Sequence, residues 1–334
     1  MKNILITGAG GFIGSFLVEE GVKLGYQVYA GIRASSKTEY PQDKNIRIFT
    51  INLDDKSKLI KNFKDYAQQE IHFQYIIHNA GITKSINKKD FLKVNYQGTR
   101  NLVDALIESD CIPEKFLFIS SLEAYGHGNE KTMQPVRETD TPKPFSLYGE
   151  SKLKSEQYLK SLENFPYLIL RPTGVYGPRE RDYFVYIRTI NRGLEFYIGR
   201  EKQYLSFVYV KDLVRLIYLG LESKIVNNSY FVTDGKDYTS RDLAVIVKQI
   251  LGKKCIKIII PKTLIRWISY IAEPLSALVH KKTVLNPDKY KTMTCVNWLC
   301  DPGRLQEDFG FNAEYDLRKG MEEAIEWYKL NHWI

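Results

Sequence analysis

Apolar positions in the first half of the chain follow two alternating rhythms. Short runs rich in β-branched and aromatic residues occur at Asn3–Thr7, Gln27–Gly31, Ile46–Ile51, Tyr75–His78, Phe116–Ser120 and Tyr167–Leu170. Between them lie longer stretches with helical spacing, apolar residues recurring three and four apart. Crossovers of that length are what parallel strands need to return to the same edge of a sheet. The expected fold class is α/β, a Rossmann-type doubly wound parallel sheet.

After Arg171 the rhythm changes. Helical patterns at Tyr183–Arg192, Lys211–Glu222, Ser240–Leu251, Leu264–Leu278 and Leu317–Lys329 are separated by short extended pieces. They predict a smaller, mostly helical substrate-binding lobe over 173–334 beside a dinucleotide-binding domain over 1–172. No Gly/Ser-rich linker divides the two, which implies a shared interface and a cleft. Strand-like Ser206–Val210 and Tyr230–Val232, within 204–235, are expected to return to the main sheet and interleave the lobes.

Composition narrows the classes. A chain of 334 residues, 44% apolar and 26% charged, can bury a core without staples and is neither disordered nor fibrous. The net charge of +9 favours anionic partners. The lysines are scattered, with short runs only at Lys88–Lys89, Lys253–Lys254 and Lys281–Lys282, so no nucleic-acid partner is expected. Cys111, Cys255, Cys295 and Cys300 fall outside CxxC spacing, which argues for a reduced, cytoplasmic setting and against a metal site. The first strand begins at once, with no leader pattern, and the apolar stretch Ile256–Val279 is interrupted by Lys257, Lys262, Arg266 and Glu273. No membrane span is expected.

The first strand runs into Gly8-Ala9-Gly10-Gly11-Phe12-Ile13-Gly14. Gly8 suits the tight turn, Gly11 lets backbone N–H groups approach a pyrophosphate at the helix start, and Gly14 lets the helix pack on the sheet. A dinucleotide is the expected cofactor. The second strand ends in Gly31-Ile32-Arg33-Ala34-Ser35-Ser36-Lys37, without the carboxylate that would accept an NAD ribose hydroxyl. Arg33, Ser36 and Lys37 could address a 2′-phosphate, so NADP(H) is favoured, with NAD(H) the alternative.

Tyr148 and Lys152 stand four apart, one helical turn, so phenol and ammonium share a face. The same spacing at Tyr40/Lys44 includes Pro41, and Tyr315/Lys319 lies far from the strands; only Tyr148 follows the serine-rich strand end Phe118-Ile119-Ser120-Ser121. A neighbouring cation favours phenolate and would make Tyr148 a usable base. Ser121 is placed to hold a substrate oxygen within its reach.

With these pieces in hand, the chain resembles the extended short-chain dehydrogenases/reductases of the NAD(P)-dependent epimerase/dehydratase superfamily over nearly its whole length. The matching runs are TGAGGFIG, HNAG at His78–Gly81, VNYQGTRNL at Val94–Leu102, FISSLEAYG at Phe118–Gly126, YGESK, and LRPTGVYGP at Leu170–Pro178. The resemblance implies that Asn79, Ala80 and Gly81 pass beside the cofactor, that Asn95 braces the site, that Pro172 and Thr173 lie near the nicotinamide, and that Lys152 also holds its ribose. Where relatives often carry Gly-Asp-Leu to meet adenine, this chain reads Ile51-Asn52-Leu53, and Asn52 retains a hydrogen-bonding group. It also implies the possibility of a helix-paired homodimer.

Two features bear on the substrate, a small molecule on any reading. Glu123 occupies the place of the acid/base of sugar-nucleotide dehydratases, and also reads as an exposed loop carboxylate. Leu205 stands where nucleotide-sugar epimerases carry an arginine for the substrate pyrophosphate. Together with YGPRERDYF, FVYVKDL and Trp298-Leu299-Cys300-Asp301, Leu205 points to the dihydroflavonol-reductase and 3β-hydroxysteroid-dehydrogenase-like branch. Leu264–Val279, with Trp267, Ile268, Tyr270, Ile271 and Leu275, then reads as a pocket wall, a lid or core packing. The function expected is hydride transfer between the nicotinamide cofactor and a secondary alcohol or ketone. The alternatives are a nucleotide-sugar 4-epimerase or dehydratase with retained NAD, and a non-catalytic dinucleotide-binding scaffold.

Overall fold

The structure, a computed structural model, describes residues 1–35, 46–278 and 287–334. Its chain clusters into two compact units. The first holds Met1–Ala124, Leu147–Arg171 and Val214–Tyr230; the second holds Tyr125–Ser146, Pro172–Leu213 and Phe231–Ile334.

Seven strands form the main sheet: β1 (Asn3–Thr7), β2 (Gln27–Ile32), β3 (Ile46–Thr50), β4 (Tyr75–His78), β5 (Lys115–Ile119), β6 (Tyr167–Pro172) and β7 (Asn228–Val232). Their spatial order is β7-β6-β5-β4-β1-β2-β3, and β1 through β6 pair in parallel. Chain order reverses on either side of β1, which is the switch point of a doubly wound sheet. The strands carry apolar residues on both faces because helices cover both. Helix α1 (Phe12–Lys23) follows β1; around Leu5, Ile76, Phe116 and Ile169 the core closes with Leu59 and Phe63 of α2 (Lys56–Gln68) and Leu102 and Leu106 of α3 (Gly98–Glu108).

Tyr230–Val232 does join the main sheet, as part of β7. Ser206–Val210 does not: Phe207–Tyr209 pairs in parallel with Gly174–Tyr176 in a separate two-stranded sheet. Apolar alternation told that a strand was present but could not choose its partner, because register is settled by contacts distant in sequence. The second unit is a patchwork of such small sheets and helices. Leu194–Ile198 pairs with Ile256–Ile260, and Tyr204–Leu205 lies between Tyr238–Thr239 and Asn297–Trp298. Helices at Asp182–Asn191, Ser240–Leu251, Lys262–Leu278 and Leu317–Leu330 fall within two residues of their expected bounds.

Candidate active site

The turn after β1 is built for close approach. Gly8 has φ of +65°, and a Cβ there would sit 2.8 Å from the backbone of Ala80. A Cβ on Gly14 would meet the Gly8 carbonyl oxygen at 2.2 Å. Gly11 caps α1 with no side chain, so the first amides of the helix, with Phe12 and Ile13 leading it, stay open to an anion. This cradle fits a dinucleotide pyrophosphate. Across from it, Asn79 donates to the Gly8 carbonyl at 3.3 Å and the Ala80 amide donates to Thr7 Oγ1 at 3.1 Å, fixing the His78–Gly81 run against the loop.

At the end of β2, Arg33 is exposed. Ser36 and Lys37 lie outside the described residues. Asn52 is exposed, but its Oδ1 already accepts the Asp54 amide at 3.2 Å, while Leu53 packs toward α3.

The proton-handling residues converge from two elements. Ser121 follows the carboxyl end of β5, and Tyr148 and Lys152 lie on α4 (Leu147–Lys160). Ser121 stands beside the Tyr148 phenol, where its hydroxyl favours the ionised form. Burial pushes the Tyr148 phenol up from its ordinary value and the Glu123 carboxylate pushes it further, while the Ser121 contact acts the other way. Lys152 is 4% exposed, and burial brings it down to about 8 against the opposing pull of Glu156. Its ammonium donates to the Ile119 carbonyl at 2.7 Å and lies 4.7 Å from the Phe118 ring centroid. Burial is thus the largest influence on the Tyr148 phenol, while one donor of the Lys152 ammonium is held by the Ile119 carbonyl. Gly81 leaves room beside it, since a Cβ there would come 3.4 Å from Lys152 Nζ and 3.1 Å from Asn95 Oδ1.

Asn95 sits in a π-helical turn, Phe91–Gln97, the wide kind of turn often found at functional sites. Its side chain accepts from the Ile82 amide at 2.8 Å and donates to the Ile82 carbonyl at 3.0 Å and to Ser151 Oγ at 2.9 Å. Thus the residue expected to brace the site holds the segment after Gly81 against α4.

Sequence reasoning overlooked the layer behind these groups. His78 is fully buried between Thr7 Oγ1 at 2.7 Å and Thr99 Oγ1 at 2.9 Å, and burial lowers it to about 3, with the Lys152 charge adding. Glu156, one turn beyond Lys152, is buried and takes Ser120 Oγ at 2.5 Å and Arg171 through Nε at 2.9 Å and Nη2 at 2.7 Å. Arg171 also donates to Ser229 Oγ at 3.0 Å. The available signal was the spacing Lys152–Glu156 itself, a polar pair on the face that α4 buries.

Pro172 ends β6 and Thr173 follows, its amide and hydroxyl both donating to the Val232 carbonyl, at 3.1 and 3.2 Å. Leu205 lies in the three-stranded patch, opposite Tyr238 and Trp298. Cysteine spacing gave no hint that His127, Glu130 and Cys295 bring ligand-type atoms within 4.8 Å of one another. Lys262 already presses its charge on both Glu130 and Cys295, which opposes a cation there.

A doubly wound sheet with an open glycine turn at one strand end and a Ser-Tyr-Lys set at another defines an extended short-chain dehydrogenase/reductase. The profile of the NAD dependent epimerase/dehydratase family matches residues 4–232, and the chain belongs to that family as an NAD(P)-dependent enzyme. It is 27% identical to a putative UDP-glucose 4-epimerase of Methanocaldococcus jannaschii, over 98% of this chain and 99% of that one. It is equally 27% identical to a decarboxylating sterol-4-alpha-carboxylate 3-dehydrogenase of Dictyostelium discoideum, over 72% of this chain and 74% of the relative. UDP-glucose 4-epimerase of Thermotoga maritima, solved with UDP-glucose, shares the fold with a TM-score of 0.79 at 23% identity, over 99% of both chains.

Proposed function

We propose that the protein moves hydride between a nicotinamide cofactor and a secondary alcohol or ketone, using Ser121, Tyr148 and Lys152. The observation that carries this reading is the placing of Ser121, at the end of β5, and of Tyr148 and the buried Lys152, one turn apart on α4. The bound dinucleotide supplies or takes up the hydride. In the reducing direction Tyr148 gives its proton to the forming alkoxide, and in the oxidising direction it takes the proton from the alcohol. Ser121 holds that oxygen against Tyr148. Lys152, one turn from Tyr148, would hold the nicotinamide ribose, and its cation favours phenolate. Gly8, Gly11 and Gly14 hold the pyrophosphate, and Asn79, Ala80, Gly81, Pro172 and Thr173 line the path to the nicotinamide.

NADP(H) is the preferred cofactor on this reading. Arg33 is exposed at the end of β2, and the run Gly31–Lys37 contains no carboxylate to repel a 2′-phosphate. The protein is read as cytoplasmic and homodimeric; sedimentation velocity tests the assembly. Leu205 favours a substrate without a pyrophosphate at that position, as in the sterol-dehydrogenase relative.

One observation favours a second reading, the epimerase or dehydratase cycle in which hydride returns to the same sugar: the Glu123 carboxylate acts on the Tyr148 phenol. Mass spectrometry of small molecules released on denaturation, with NADPH and NADH titrations of emptied protein, separates the two. Empty protein binding NADPH more tightly, and losing that preference in Arg33→Ala, supports the exchanging reductase. NAD retained near one per chain supports the alternative. In either case Tyr148→Phe should lower turnover by about 10²–10⁴-fold, the worth of a positioned general acid/base, and unchanged turnover refutes the Tyr148 assignment.

A further inference from the structure

The helix Lys262–Leu278 is turned the wrong way for a water-soluble surface. Leu264, Trp267 and Ile268 lie at i, i+3 and i+4 on one face, and Tyr270 follows one turn beyond Trp267. These residues are 50%, 69%, 42% and 54% exposed, while Ile265 and Ser269, four apart on another face, are buried at 8% and 0%. Among the described side chains of the helix, the apolar ones other than Ile265 therefore point outward. The strand before it behaves alike, with Ile256 69% and Ile259 42% exposed in a two-stranded sheet.

Along the chain this segment carries charge of a single sign. Between Gly252 and Ala272 there are five cations, Lys253, Lys254, Lys257, Lys262 and Arg266, and no carboxylate. Lys253, Lys254, Lys257 and Arg266 are exposed, and Lys262 pairs with Glu201. Lys257 lies 5.0 Å from the Tyr197 ring centroid, its stem along the sheet. Exposed Trp and Tyr beside aliphatic residues, with exposed Lys and Arg in the same stretch of chain, match the boundary between lipid headgroups and acyl chains.

We infer that residues 253–270 form a monotopic docking surface for an anionic phospholipid bilayer, into whose interface the Leu264–Trp267–Ile268–Tyr270 face inserts while the lysines meet headgroup charge. No helix among the described residues is long and apolar enough to cross a membrane, and this surface needs none. The inference goes beyond the hydride-transfer reading and stands without it.

The test is co-sedimentation of the full chain with equimolar phosphatidylglycerol–phosphatidylcholine vesicles and with pure phosphatidylcholine vesicles, scored beside self-association in vesicle-free buffer. The expected result is capture by the anionic vesicles and much weaker capture by the neutral ones. A Lys253→Glu/Lys254→Glu/Lys257→Glu variant should bind roughly 100-fold more weakly, from about fivefold per lost basic contact. Trp267→Ser should also weaken binding, and its Trp fluorescence change on vesicle addition should shrink. Unchanged unfolding transitions of both variants show that the fold survives. No capture by anionic vesicles, or equal capture by both kinds that the lysine variant does not alter, overturns the inference. So does self-association that Trp267→Ser abolishes in a protein the vesicles fail to capture, which would make the face an interface between copies of the chain.

Discussion

The helix α4 and the helix Lys262–Leu278 break the same rule in opposite directions. A helix in a soluble protein is expected to bury its apolar stripe and expose its polar one. In α4 the buried stripe is Lys152, Ser155 and Glu156 with Leu159, a run of polar groups in the core. In Lys262–Leu278 the exposed face is Leu264, Trp267 and Ile268. Polar groups survive burial only when each finds partners, and α4 supplies them: Ile119 carbonyl for Lys152, Arg171 and Ser120 for Glu156, the Asn95 and Ser151 carbonyls for Ser155. Apolar groups survive exposure at a small direct cost, so their presence in water points to something else that covers them. The inverted pattern thus underlies the proposed chemistry in one helix and the inferred contact in the other.

The largest effect that would sharpen this contrast lies in the buried pair. Glu156→Ala should cost about 3–5 kcal/mol in denaturant unfolding, because it leaves the Arg171 guanidinium, 0% exposed, without its counter-charge. Glu156→Leu/Arg171→Met should recover most of that loss; if it does not, the pair is more than a compensated burial.

His78 gives the next effect. Its folded pKa of about 3 lies below the ordinary histidine value of 6.5, so in acid the unfolded chain binds a proton that the native one refuses. Stability should be full above pH about 6.5 and fall by about 1.4 kcal/mol per pH unit below it, as far as the folded pKa. Unfolding free energies across this range should lose that slope component in His78→Asn. An unchanged slope would mean that His78 is not held neutral.

Lys152 acts on activity rather than stability. With its ammonium at about 8, kcat/KM should decline above that pH as the cation is lost, by about tenfold per unit where this group controls the rate. Lys152→Arg should remove that alkaline limb, even if overall activity drops. The smallest effect belongs to the exposed helix: Trp267→Ser should alter unfolding free energy by no more than about 0.5 kcal/mol. A larger loss would place Trp267 in the fold and erase the contrast.

The doubly wound sheet, the glycine turn and the Ser-Tyr-Lys set were legible in the sequence because each rests on local spacing. Strand runs alternate with helix-length connections, Gly8 to Gly14 follow β1 directly, and Tyr148 to Lys152 is one helical turn. Partnership was not legible. Phe207–Tyr209 read as a strand of the main sheet, yet it pairs with Gly174–Tyr176. Leu264–Leu278 read as a helix in the right place, yet nothing in its period says which face meets solvent.

The sequence by itself thus determined the class of fold, the glycine turn after β1 and the one-turn spacing of Tyr148 and Lys152, since these depend on backbone conformation and side-chain spacing over a few residues. Only the tertiary structure decided that Lys152 rests on the Ile119 carbonyl, that Glu156 answers Arg171, and that Trp267 faces water. Those outcomes depend on which distant segments meet and on the burial that follows, and both partner choice and desolvation are properties of the assembled chain.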